Sequence, residues 1–495
     1  MTQQTLSSKT QIRTYQNLIN GAYVAPVSGE NYTRTSPLTG EDLVQIAWSN
    51  QVDADNAIQV ARKVFDEGKW SNSAPKNRHD ILRKTADLIR EKSQAIATTI
   101  CQEVARPFNM CVMEVLMTAD IFDYFAGLSL DIKGEAITQE GNIIGMTVNE
   151  PVGVVGIITP WNFPLVLVAW KIAPAIATGC TMVIKPSEFT PSSTFMLVEI
   201  LAEAGLPPGI ANIVTGDGAV VGERLVESPL VDKIAFTGST AVGKNIMAKA
   251  APTLKRISLE LGGKSPNIIF PDADLPQAIM GAIGGIYLNS GQVCQAGSRL
   301  LIHESIKDAV VEQLVGASQT LAIGNPMDVN TFMGPVINQR QFERVQSYIQ
   351  AGIDEGAKLI TGGVGQHSVP GFPDGLFIKP TIFDDVSSTM KIAQEEIFGP
   401  VLAVMTFRDE AEALAIANDS MYGLTAGIWT KNIDTAFRMA KGIRAGTIWI
   451  NTYHTSGLEP RMPYGGFKQS GIGREVGHKG LEEYLETKSV HIKVG

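Results

Sequence analysis

A cysteine and a glutamate are the residues of this chain whose surroundings most strongly suggest covalent chemistry. Cys294 lies among Gly, Gln, Ser and Ala residues in the stretch 291–299, where small neighbours would leave room for a substrate. A cysteine becomes a strong nucleophile only as a thiolate, which needs an electropositive pocket or a helix N-terminus, with a carboxylate nearby to handle protons. Glu260, in the stretch 259–264, is the candidate carboxylate. The pair predicts a thiol nucleophile with its base.

Most cysteines are small buried hydrophobes, and only the surroundings of Cys294 argue against that interpretation. It is preceded at 289–291 by Asn-Ser-Gly, which predicts a turn that opens a short helix. The other three cysteines lie in apolar or amphipathic stretches, so we expect them to be buried packing residues: Cys101, Cys111 and Cys180.

Glu260 has an alternative interpretation as an ion-pair partner of Lys264 or Arg256. A general base needs a pKa that burial or neighbouring groups move toward the working pH. The glycines at 262 and 263 would leave space for a mobile carboxylate and a water molecule. We therefore favour the catalytic role.

A third candidate, Asn162, follows a run of apolar residues. Residues 152–158 have the pattern of a buried strand, and residues 159–164 form the polar loop after it. Open α/β sheets bind ligands at such strand ends. The Asn162 side-chain N–H and the main-chain N–H of Cys294 could hold an anionic tetrahedral oxygen, each lowering the activation barrier by about 3 to 4 kcal/mol in a water-poor site.

Seven sequence blocks in this order span most of the chain. They are residues 161–164, 185–188, 236–243, 260–264, 291–299, 395–400 and 463–471. Together they resemble the aldehyde dehydrogenase superfamily, in its hydrolytic, NAD(P)-dependent and non-acylating branch. The resemblance implies a small-molecule aldehyde as substrate, NAD as cofactor and a carboxylic acid as product.

The resemblance also implies a mechanism. The Cys294 thiolate attacks the aldehyde, Asn162 and the Cys294 amide hold the oxyanion, hydride passes to nicotinamide, and Glu260 activates the water that hydrolyses the thioester. Lys171 and Glu475 match positions that the family uses to move protons or to position groups.

Residues that match the cofactor site of the family come from several blocks. They are Ile158, Thr159, Trp161, Lys185, Ser187, Glu188, Gly218, Phe236, Gly238, Ser239, Val242, Leu261, Gly262, Glu396 and Phe398. Glu188 would accept hydrogen bonds from adenosine ribose hydroxyls and repel a 2′-phosphate, which favours NAD. Lys185 is a cation nearby that leaves NADP possible. Glu396 and Phe398 resemble the pair that grips the nicotinamide ribose and ring.

The glycine-containing loop 238–243 departs from the common dinucleotide fingerprint, because its glycines are spaced G-x-x-x-x-G rather than G-x-G-x-x-G. Taken alone, it would most often be a turn. Here it follows the predicted strand 233–236 and opens a helix, so free N–H groups would face a pyrophosphate.

The residues that match the family's aldehyde tunnel are mainly apolar and aromatic. They are Phe163, Leu167, Trp170, Val293, Gln295, Tyr453 and Tyr464, with the two tyrosines expected near the mouth. This lining favours an aliphatic or aromatic aldehyde. Glu459 and Arg461, in the loop 454–462, could face the entrance and favour a charged substrate instead. A betaine-aldehyde, aminoaldehyde or semialdehyde dehydrogenase is the alternative.

The predicted fold class is α/β, with a Rossmann-like cofactor domain, an α/β catalytic domain and a small β oligomerisation segment. Short apolar runs at 181–184, 211–214, 233–236 and 267–270 alternate with helix-length segments and predict a parallel sheet in the nucleotide-binding half. Runs at 298–302, 401–404 and 446–450 predict a second sheet in the catalytic half. Among the helices, apolar spacing from 57 to 65 predicts one capped by Asp53.

We expect residues 1–130 and 150–262 to form the NAD-binding domain and residues 263–465 the catalytic domain. The segments 138–148 and 487–493 read as extended and belong to neither sheet. In the family such segments form a bridging domain, assigned here to residues 131–149 and 478–495. A homodimer or homotetramer is implied by the resemblance only.

Composition excludes several other classes of protein. A net charge of −9 without a basic cluster argues against nucleic acid as a partner. The four cysteines are widely spaced, without a CxxC pair, so they predict neither a disulfide framework nor a zinc site. We expect no metal and a reducing, cytoplasmic setting.

Neither targeting nor a membrane span is expected. The polar N-terminus lacks the pattern of a signal or transit peptide. The long apolar region 151–184 is interrupted by three prolines, Asn162 and Lys171, so it predicts strand, loop, helix and strand rather than a span.

Three other activities remain open from the sequence. One is a CoA-acylating or phosphorylating dehydrogenase of the same superfamily, against which the carboxylate of Glu260 argues. Another is a catalytically silent protein that keeps the fold, although Cys294, Glu260 and Asn162 are all intact. The third is a thiol hydrolase or esterase without a redox step.

Overall fold

Fifteen α-helices occur in the residues that the computed structural model describes, which are 12–453 and 459–495. They are α1 Gln51–Asp66, α2 Pro75–Glu91, α3 Ser93–Val104, α4 Phe108–Ser129, α5 Val166–Thr178, α6 Ser192–Ala204, α7 Glu223–Glu227, α8 Thr240–Ala250, α9 Leu275–Tyr287, α10 Lys307–Gln319, α11 Gln339–Asp354, α12 Lys391–Gln394, α13 Glu410–Asn418, α14 Ile433–Gly442 and α15 Gly477–Glu482. Among them, none is both long and apolar enough to cross a bilayer.

The strands of the same residues are mostly short. They are β1 Arg13–Tyr15, β2 Asn17–Ile19, β3 Ala22–Val24, β4 Asn31–Thr35, β5 Asp42–Ala47, β6 Ala136–Gln139, β7 Ile143–Pro151, β8 Val154–Ile158, β9 Thr181–Lys185, β10 Ala211–Ile213, β11 Lys233–Thr237, β12 Arg256–Glu260, β13 Pro266–Ile269, β14 Arg299–His303, β15 Lys358–Thr361, β16 Thr381–Asp384, β17 Val401–Phe407, β18 Tyr422–Gly423, β19 Thr425–Trp429, β20 Thr447–Ile450, β21 Phe467–Lys468, β22 Gly471–Ile472 and β23 Leu485–Lys493.

The first large sheet has the order β22-β12-β11-β8-β9-β10-β2-β3. Its five central strands, from β12 to β10, are parallel, and antiparallel strands flank them. The predicted strands at 181–184, 211–214 and 233–236 are confirmed in it. Because parallel strands end at the same edge, the loops after Ile158 and Thr237 lie beside the end of β12 at Glu260.

The second large sheet has the order β15-β16-β17-β14-β13-β19-β20, parallel except at β15. The predicted strand at 267–270 lies here as β13, so its assignment to the nucleotide-binding half is wrong. A short apolar run does not indicate which sheet it joins, and β13 pairs with β14 and β19. The chain passes from the end of β12 directly to the start of β13, which brings the two sheets together at the site.

A third sheet is formed by β6, β7 and β23. The extended structure predicted for 138–148 and 487–493 is confirmed, as is their separation from the two large sheets. β7 and β23 pair along nine residues, from Leu485 opposite Pro151 to Lys493 opposite Ile143. Two smaller sheets join β1, β5 and β4, and β18 and β21.

Helix α1 illustrates how a local cap decides a boundary. The helix begins after Asn50, whose side chain accepts hydrogen bonds from the N–H groups of Val52 and Asp53. The Asp53 carboxylate accepts from the Asn50 N–H in return, at 3.0 Å. The predicted Asp53 cap is therefore wrong by three residues, because Asp53 is the other half of a capping box.

The apolar region 151–184 folds as predicted. It forms β8, a polar loop, α5 and β9, and every residue of α5 is buried. Because α5 packs inside the protein and begins just after Asn162, it holds the polar loop against the edge of the first sheet.

Candidate active site

The loop that carries Cys294 has an unusual backbone. Asn289, Ser290 and Gly291 have φ values of 48°, 56° and 74°. A Cβ atom at Gly291 would lie 2.1 Å from the carbonyl oxygen of Gly399, so this position requires glycine. Cys294 follows in a turn, and the helix predicted there is wrong, because the backbone leaves the helical region at Gln292, where φ is −84° and ψ is 55°.

Hydrogen bonds tie this loop to the loop of Asn162. Asn289 Nδ2 donates to the carbonyl oxygens of Asn162, at 3.3 Å, and Gln292, at 3.2 Å. Asn162 Nδ2 also donates to the Gln292 carbonyl, at 3.0 Å. An amide nitrogen carries two hydrogens, so Asn162 keeps a second donor. The arrangement holds Asn162 and Cys294 in one fixed unit.

Cys294 lies where two cavities meet. A largely apolar cavity of about 850 Å³ is lined by Cys294, Asn162 and residues of α4 and α5. A cleft of about 1370 Å³, with charged groups in its wall, is also lined by Cys294 and Asn162. Cys294 and Asn162 therefore border both the apolar cavity and the charged cleft.

The surroundings of the thiol differ from the expected electropositive pocket. Burial, together with the nearby carboxylates of Glu396 and Glu260, raises the pKa of Cys294 to about 12. The Tyr464 hydroxyl lies 3.7 Å from Sγ and acts in the opposite direction. The charged residues that act on the thiol are acidic, and one of them is Glu260, the carboxylate expected beside it.

Glu260 ends β12 and is almost completely buried. Neither of its carboxylate oxygens has a hydrogen-bond partner among the described residues. The rival ion pair is wrong, because Arg256 pairs with Glu486 instead and Lys264 Nζ has no hydrogen-bond partner in the described ranges. Burial, followed by the neighbouring charge of Glu475, raises the pKa of Glu260 well above its usual value.

Lys171 and Glu475 form a buried pair beside Glu260. Lys171 Nζ lies 2.6 Å from Glu475 Oε1 and donates to Thr237 Oγ1 at 2.7 Å. Burial raises the pKa of Glu475, and Lys171 opposes that rise. The structure therefore brings the two predicted partners together, and their electrostatic effects reach Glu260.

The charged cleft contains about half of the predicted cofactor residues. Its wall includes Trp161, Glu188, Gly238, Ser239, Leu261, Gly262, Glu396 and Phe398. Ser239 caps α8, so the helix N-terminus faces the cleft. Glu396 Oε1 accepts from the Gly263 N–H at 3.2 Å, and the Trp161 and Phe398 rings meet edge to face at 5.3 Å.

The other predicted cofactor residues lie outside the wall of that cleft. Lys185 is buried, and its Nζ lies 3.6 Å from Glu188 Oε2 and donates to the Pro186 carbonyl. Gly218 begins a π-helical turn that Asp217 caps. The remaining ones are strand ends, a buried serine and an exposed helix residue: Ile158, Thr159, Ser187, Phe236 and Val242.

Six of the seven predicted substrate residues line the apolar cavity. They are Phe163, Leu167, Trp170, Val293, Gln295 and Tyr464. Tyr453 does not, and its predicted place at the mouth is wrong. It is completely buried, and its hydroxyl donates to the Gln295 carbonyl at 2.8 Å. Three glycines, Gly285, Gly297 and Gly427, let its ring pack within the core.

The loop 454–462 lies only partly within the described residues. His454 to Leu458 are outside them. Glu459 and Arg461 are exposed and form an ion pair with each other, Nε to Oε1 at 2.7 Å.

Sequence reasoning missed the cavity wall that α4 contributes. Met110, Met113 and Met117 line it, with the buried pair of Arg106 and Glu114. The methionine spacing of three and four residues places them on one helix face and was a usable signal. Asn338, Gln341 and Arg344, from the start of α11, line the charged cleft without a comparable signal.

The model of the aldehyde dehydrogenase family matches residues 23–490 of this chain. The chain belongs to the aldehyde dehydrogenase family. The resemblance seen in the seven sequence blocks is thereby confirmed. An aldehyde dehydrogenase of Aspergillus niger is 42% identical over 96% of this chain and 95% of that protein.

Two solved aldehyde dehydrogenase structures share the fold, which confirms the predicted α/β class. An NAD-dependent aldehyde dehydrogenase of Sinorhizobium meliloti is 42% identical, with a TM-score of 0.94 over 97% of this chain and 95% of that chain. A betaine aldehyde dehydrogenase of Staphylococcus aureus in complex with NAD+ is 40% identical, with a TM-score of 0.95 over 97% and 95%.

Proposed function

We propose that this chain oxidises an aldehyde to a carboxylic acid with NAD+, through a covalent bond between Cys294 and the substrate. The observation that carries the proposal is the position of Cys294, which borders both the apolar cavity and the charged cleft. An aldehyde held in one and a cofactor held in the other would meet at that residue.

In the first half of the reaction, the Cys294 thiolate forms a bond to the aldehyde carbon. The carbonyl oxygen becomes an oxyanion, which the free N–H of Asn162 and the main-chain N–H of Cys294 stabilise. The hydrogen bonds among Asn289, Gln292 and Asn162 keep these donors fixed, so the site needs little reorganisation when the oxyanion forms. Loss of hydride from the same carbon, to the acceptor that bound NAD+ would supply, leaves a thioester on Cys294.

In the second half of the reaction, Glu260 acts as the general base that hydrolyses the thioester. Its carboxylate takes a proton from water, hydroxide adds to the thioester carbon, and the acid leaves as the Cys294 thiolate is regenerated. Because its pKa is raised, Glu260 binds a proton more tightly than an exposed glutamate. Lys171 and Glu475 would position Glu260 and exchange protons with it.

The charged cleft fits a pyridine dinucleotide. When bound, NAD+ supplies the hydride acceptor. Glu188 would bind ribose hydroxyls at one end, the start of α8 at Gly238 and Ser239 would bind phosphate, and Glu396 with Phe398 would hold the nicotinamide end. We expect NAD+ to be preferred, because a 2′-phosphate would meet Glu188, while Lys185 allows weaker use of NADP+.

The apolar cavity favours an uncharged aliphatic or aromatic aldehyde. Its carboxylate, Glu114, accepts from the N–H groups of Leu165 and Val166 at 3.0 and 3.1 Å, and it pairs with Arg106. The Glu114 carboxylate is therefore already paired and would not attract a cationic substrate.

Betaine aldehyde is the second candidate. The rings of Trp170 and Tyr464 lie 5.0 Å apart in the cavity wall, with Phe163 nearby, and aromatic faces attract quaternary ammonium groups. A relative acting on betaine aldehyde shares the fold. Specificity constants for betaine aldehyde, hexanal and phenylacetaldehyde would decide between the candidates.

The covalent role of Cys294 is tested by replacing it. Cys294→Ala should lower the rate of NADH formation by at least about 10⁴-fold, because no other thiol borders both cavities. Cys101→Ala, which removes a buried thiol elsewhere, should retain activity. Equal activity in Cys294→Ala and the parent protein would refute the proposal.

The role of Glu260 is tested by Glu260→Gln. We expect a burst of NADH equal to the number of active sites, followed by turnover slowed about 10² to 10⁴-fold. Mass spectrometry should then detect the acyl adduct on Cys294. Loss of the burst would assign Glu260 to the first half of the reaction instead.

Addition of CoA distinguishes the acylating alternative. A hydrolytic enzyme forms the free acid at the same rate with or without CoA, whereas an acylating enzyme requires it. Ester cleavage without any NADH formed from aldehydes would favour a thiol hydrolase.

A further inference from the structure

The Tyr464 hydroxyl contacts the Cys294 sulfur. The two atoms are 3.7 Å apart. Tyr464 is 4% exposed, and its ring lies 5.0 Å from that of Trp170. Its main chain exchanges two hydrogen bonds with Glu475, of 2.8 and 2.7 Å. The hydroxyl is therefore held at the thiol by packing on one side and by backbone pairing on the other.

The charged side chains that act on the thiol oppose a negative charge on its sulfur. The carboxylates of Glu396 and Glu260 disfavour the thiolate, as does burial. The groups that favour it are the Tyr464 hydroxyl and the main-chain N–H of Gln295. A sulfur that must become anionic in such a place depends strongly on each hydrogen-bond donor that reaches it.

We propose that Tyr464 is a further catalytic residue, whose phenol O–H donates a hydrogen bond to the Cys294 sulfur and stabilises its thiolate. The inference rests on the proposed function of Cys294 as nucleophile. It assigns Tyr464 a role in the reaction itself, beyond that of forming part of the aldehyde cavity.

Tyr464 acts as a donor that keeps its proton. Burial, with Cys294 and Glu260 nearby, raises the pKa of its phenol well above the usual value. The phenol is therefore neutral wherever the enzyme works, and the proton that the thiol loses goes to Glu260 or to solvent. The titratable groups that act on this pair are Glu260 and Glu396 on the thiol, and Glu260 and Tyr453 on the phenol.

The hydrogen bond would help at two points of the reaction. It increases the fraction of Cys294 that is thiolate before the aldehyde is attacked. It also stabilises the same thiolate when it leaves the carbon during hydrolysis. Between these points the sulfur is bonded to carbon and uncharged, so the contribution is made where the sulfur carries charge.

Tyr464→Phe removes one oxygen atom and keeps the ring, so it isolates the hydrogen bond. The readout is the rate at which iodoacetamide alkylates Cys294 in the protein without cofactor, followed by mass spectrometry across pH. A hydrogen bond to a charged group predicts alkylation about 10-fold to 100-fold slower near neutral pH, with the midpoint of the profile moved upward. Turnover at saturating aldehyde should fall with little change in KM.

Tyr15→Phe is the matched control, because Tyr15 is another buried tyrosine that lies outside both cavities. Its alkylation profile should equal that of the parent protein. Tyr464→Leu also lacks the hydroxyl. As a second variant at this position, it should show the same upward shift in the midpoint of the alkylation profile. Thermal unfolding establishes that each variant is folded.

An unchanged alkylation midpoint in Tyr464→Phe would overturn the assignment, even if turnover fell. A higher KM for aldehyde with an unchanged midpoint would likewise overturn it and leave Tyr464 as part of the cavity wall. These outcomes are separate from failure of the proposed function, which Cys294→Ala tests by itself.

Discussion

Several ionisable side chains around the thiol are placed where water cannot solvate their charged forms. Burial raises the pKa of Cys294 to about 12 and that of Glu396 to about 7. It lowers the pKa of Lys264 to about 7. Burial favours whichever form is neutral, so acids and bases shift in opposite directions. At the residue scale, burying these side chains lowers the folding stability, and it also gives the site groups that gain or lose protons near neutral pH.

Lys264 allows this cost to be measured. Its ammonium group is buried without a hydrogen-bond partner in the described residues. Because the folded-state pKa is lowered, the unfolded chain binds more protons between about pH 7 and pH 10, and stability rises with pH over that window. Lys264→Met removes the buried charge, so its unfolding temperature should exceed that of the parent protein at pH 6.

The same difference should shrink as the pH rises and level off above pH 10.5, the ordinary lysine pKa, where the group at this position is neutral in both proteins, folded and unfolded. Thermal unfolding of the two proteins across pH checks this, since other titrations cancel in the difference. A difference that is constant across pH would show that Lys264 costs no charge-burial energy.

Among the elements, α4 positions the site through the buried carboxylate of Glu114. Its Glu114 accepts hydrogen bonds from the first N–H groups of α5, at Leu165 and Val166. Its partner Arg106 donates to the Asn162 carbonyl at 3.0 Å and lies over the Phe163 ring at 4.4 Å. The pair thus joins α4 to the N-terminus of α5 and to the loop between β8 and α5.

Breaking this pair should be costly. Arg106→Met leaves the Glu114 charge buried, and we expect the free energy of unfolding to fall by about 3 to 5 kcal/mol. Adding Glu114→Gln removes that charge but keeps an oxygen that accepts from Leu165 and Val166. The double variant should therefore be more stable than Arg106→Met alone, as measured by urea unfolding. Additive losses would show that the two side chains act independently.

Elements were predictable from sequence where local pattern decides them. The strand, loop, helix and strand of 151–184 follow from composition and proline positions, and Cys294, Glu260 and Asn162 stand out by type and neighbours. Sheet membership of β13 depends on pairing between distant segments, which local pattern does not encode. The burial of Tyr453 depends on glycines at 285, 297 and 427, which are distant from it in sequence.

At the scale of the whole molecule, the site forms where the two large sheets meet. β12 ends at Glu260, β13 begins at Pro266, and β14 begins five residues after Cys294. The carboxyl edge of the first sheet and the amino edge of the second therefore face one site. Neither sheet alone holds both Glu260 and Cys294, so activity depends on their packing.

The third sheet has an exposed edge strand and exposed apolar side chains. β23 is a nine-residue edge strand, and Ile144, Val148 and Ile492 are exposed on this sheet. Ile492 lies opposite Ile144 on β7, so the two share a face. Long exposed edge strands with apolar neighbours readily pair with another chain.

We expect a second copy of this chain to cover that sheet, giving a dimer or tetramer in solution. Ile144→Lys combined with Ile492→Lys places two charges on the shared face and should reduce the mass measured by light scattering to that of smaller assemblies. Val329→Lys, at another exposed apolar residue, should leave the mass unchanged. If the double variant kept the mass of the parent protein, the contact between copies would have to lie on a different surface, because two buried lysines facing each other would not be tolerated there.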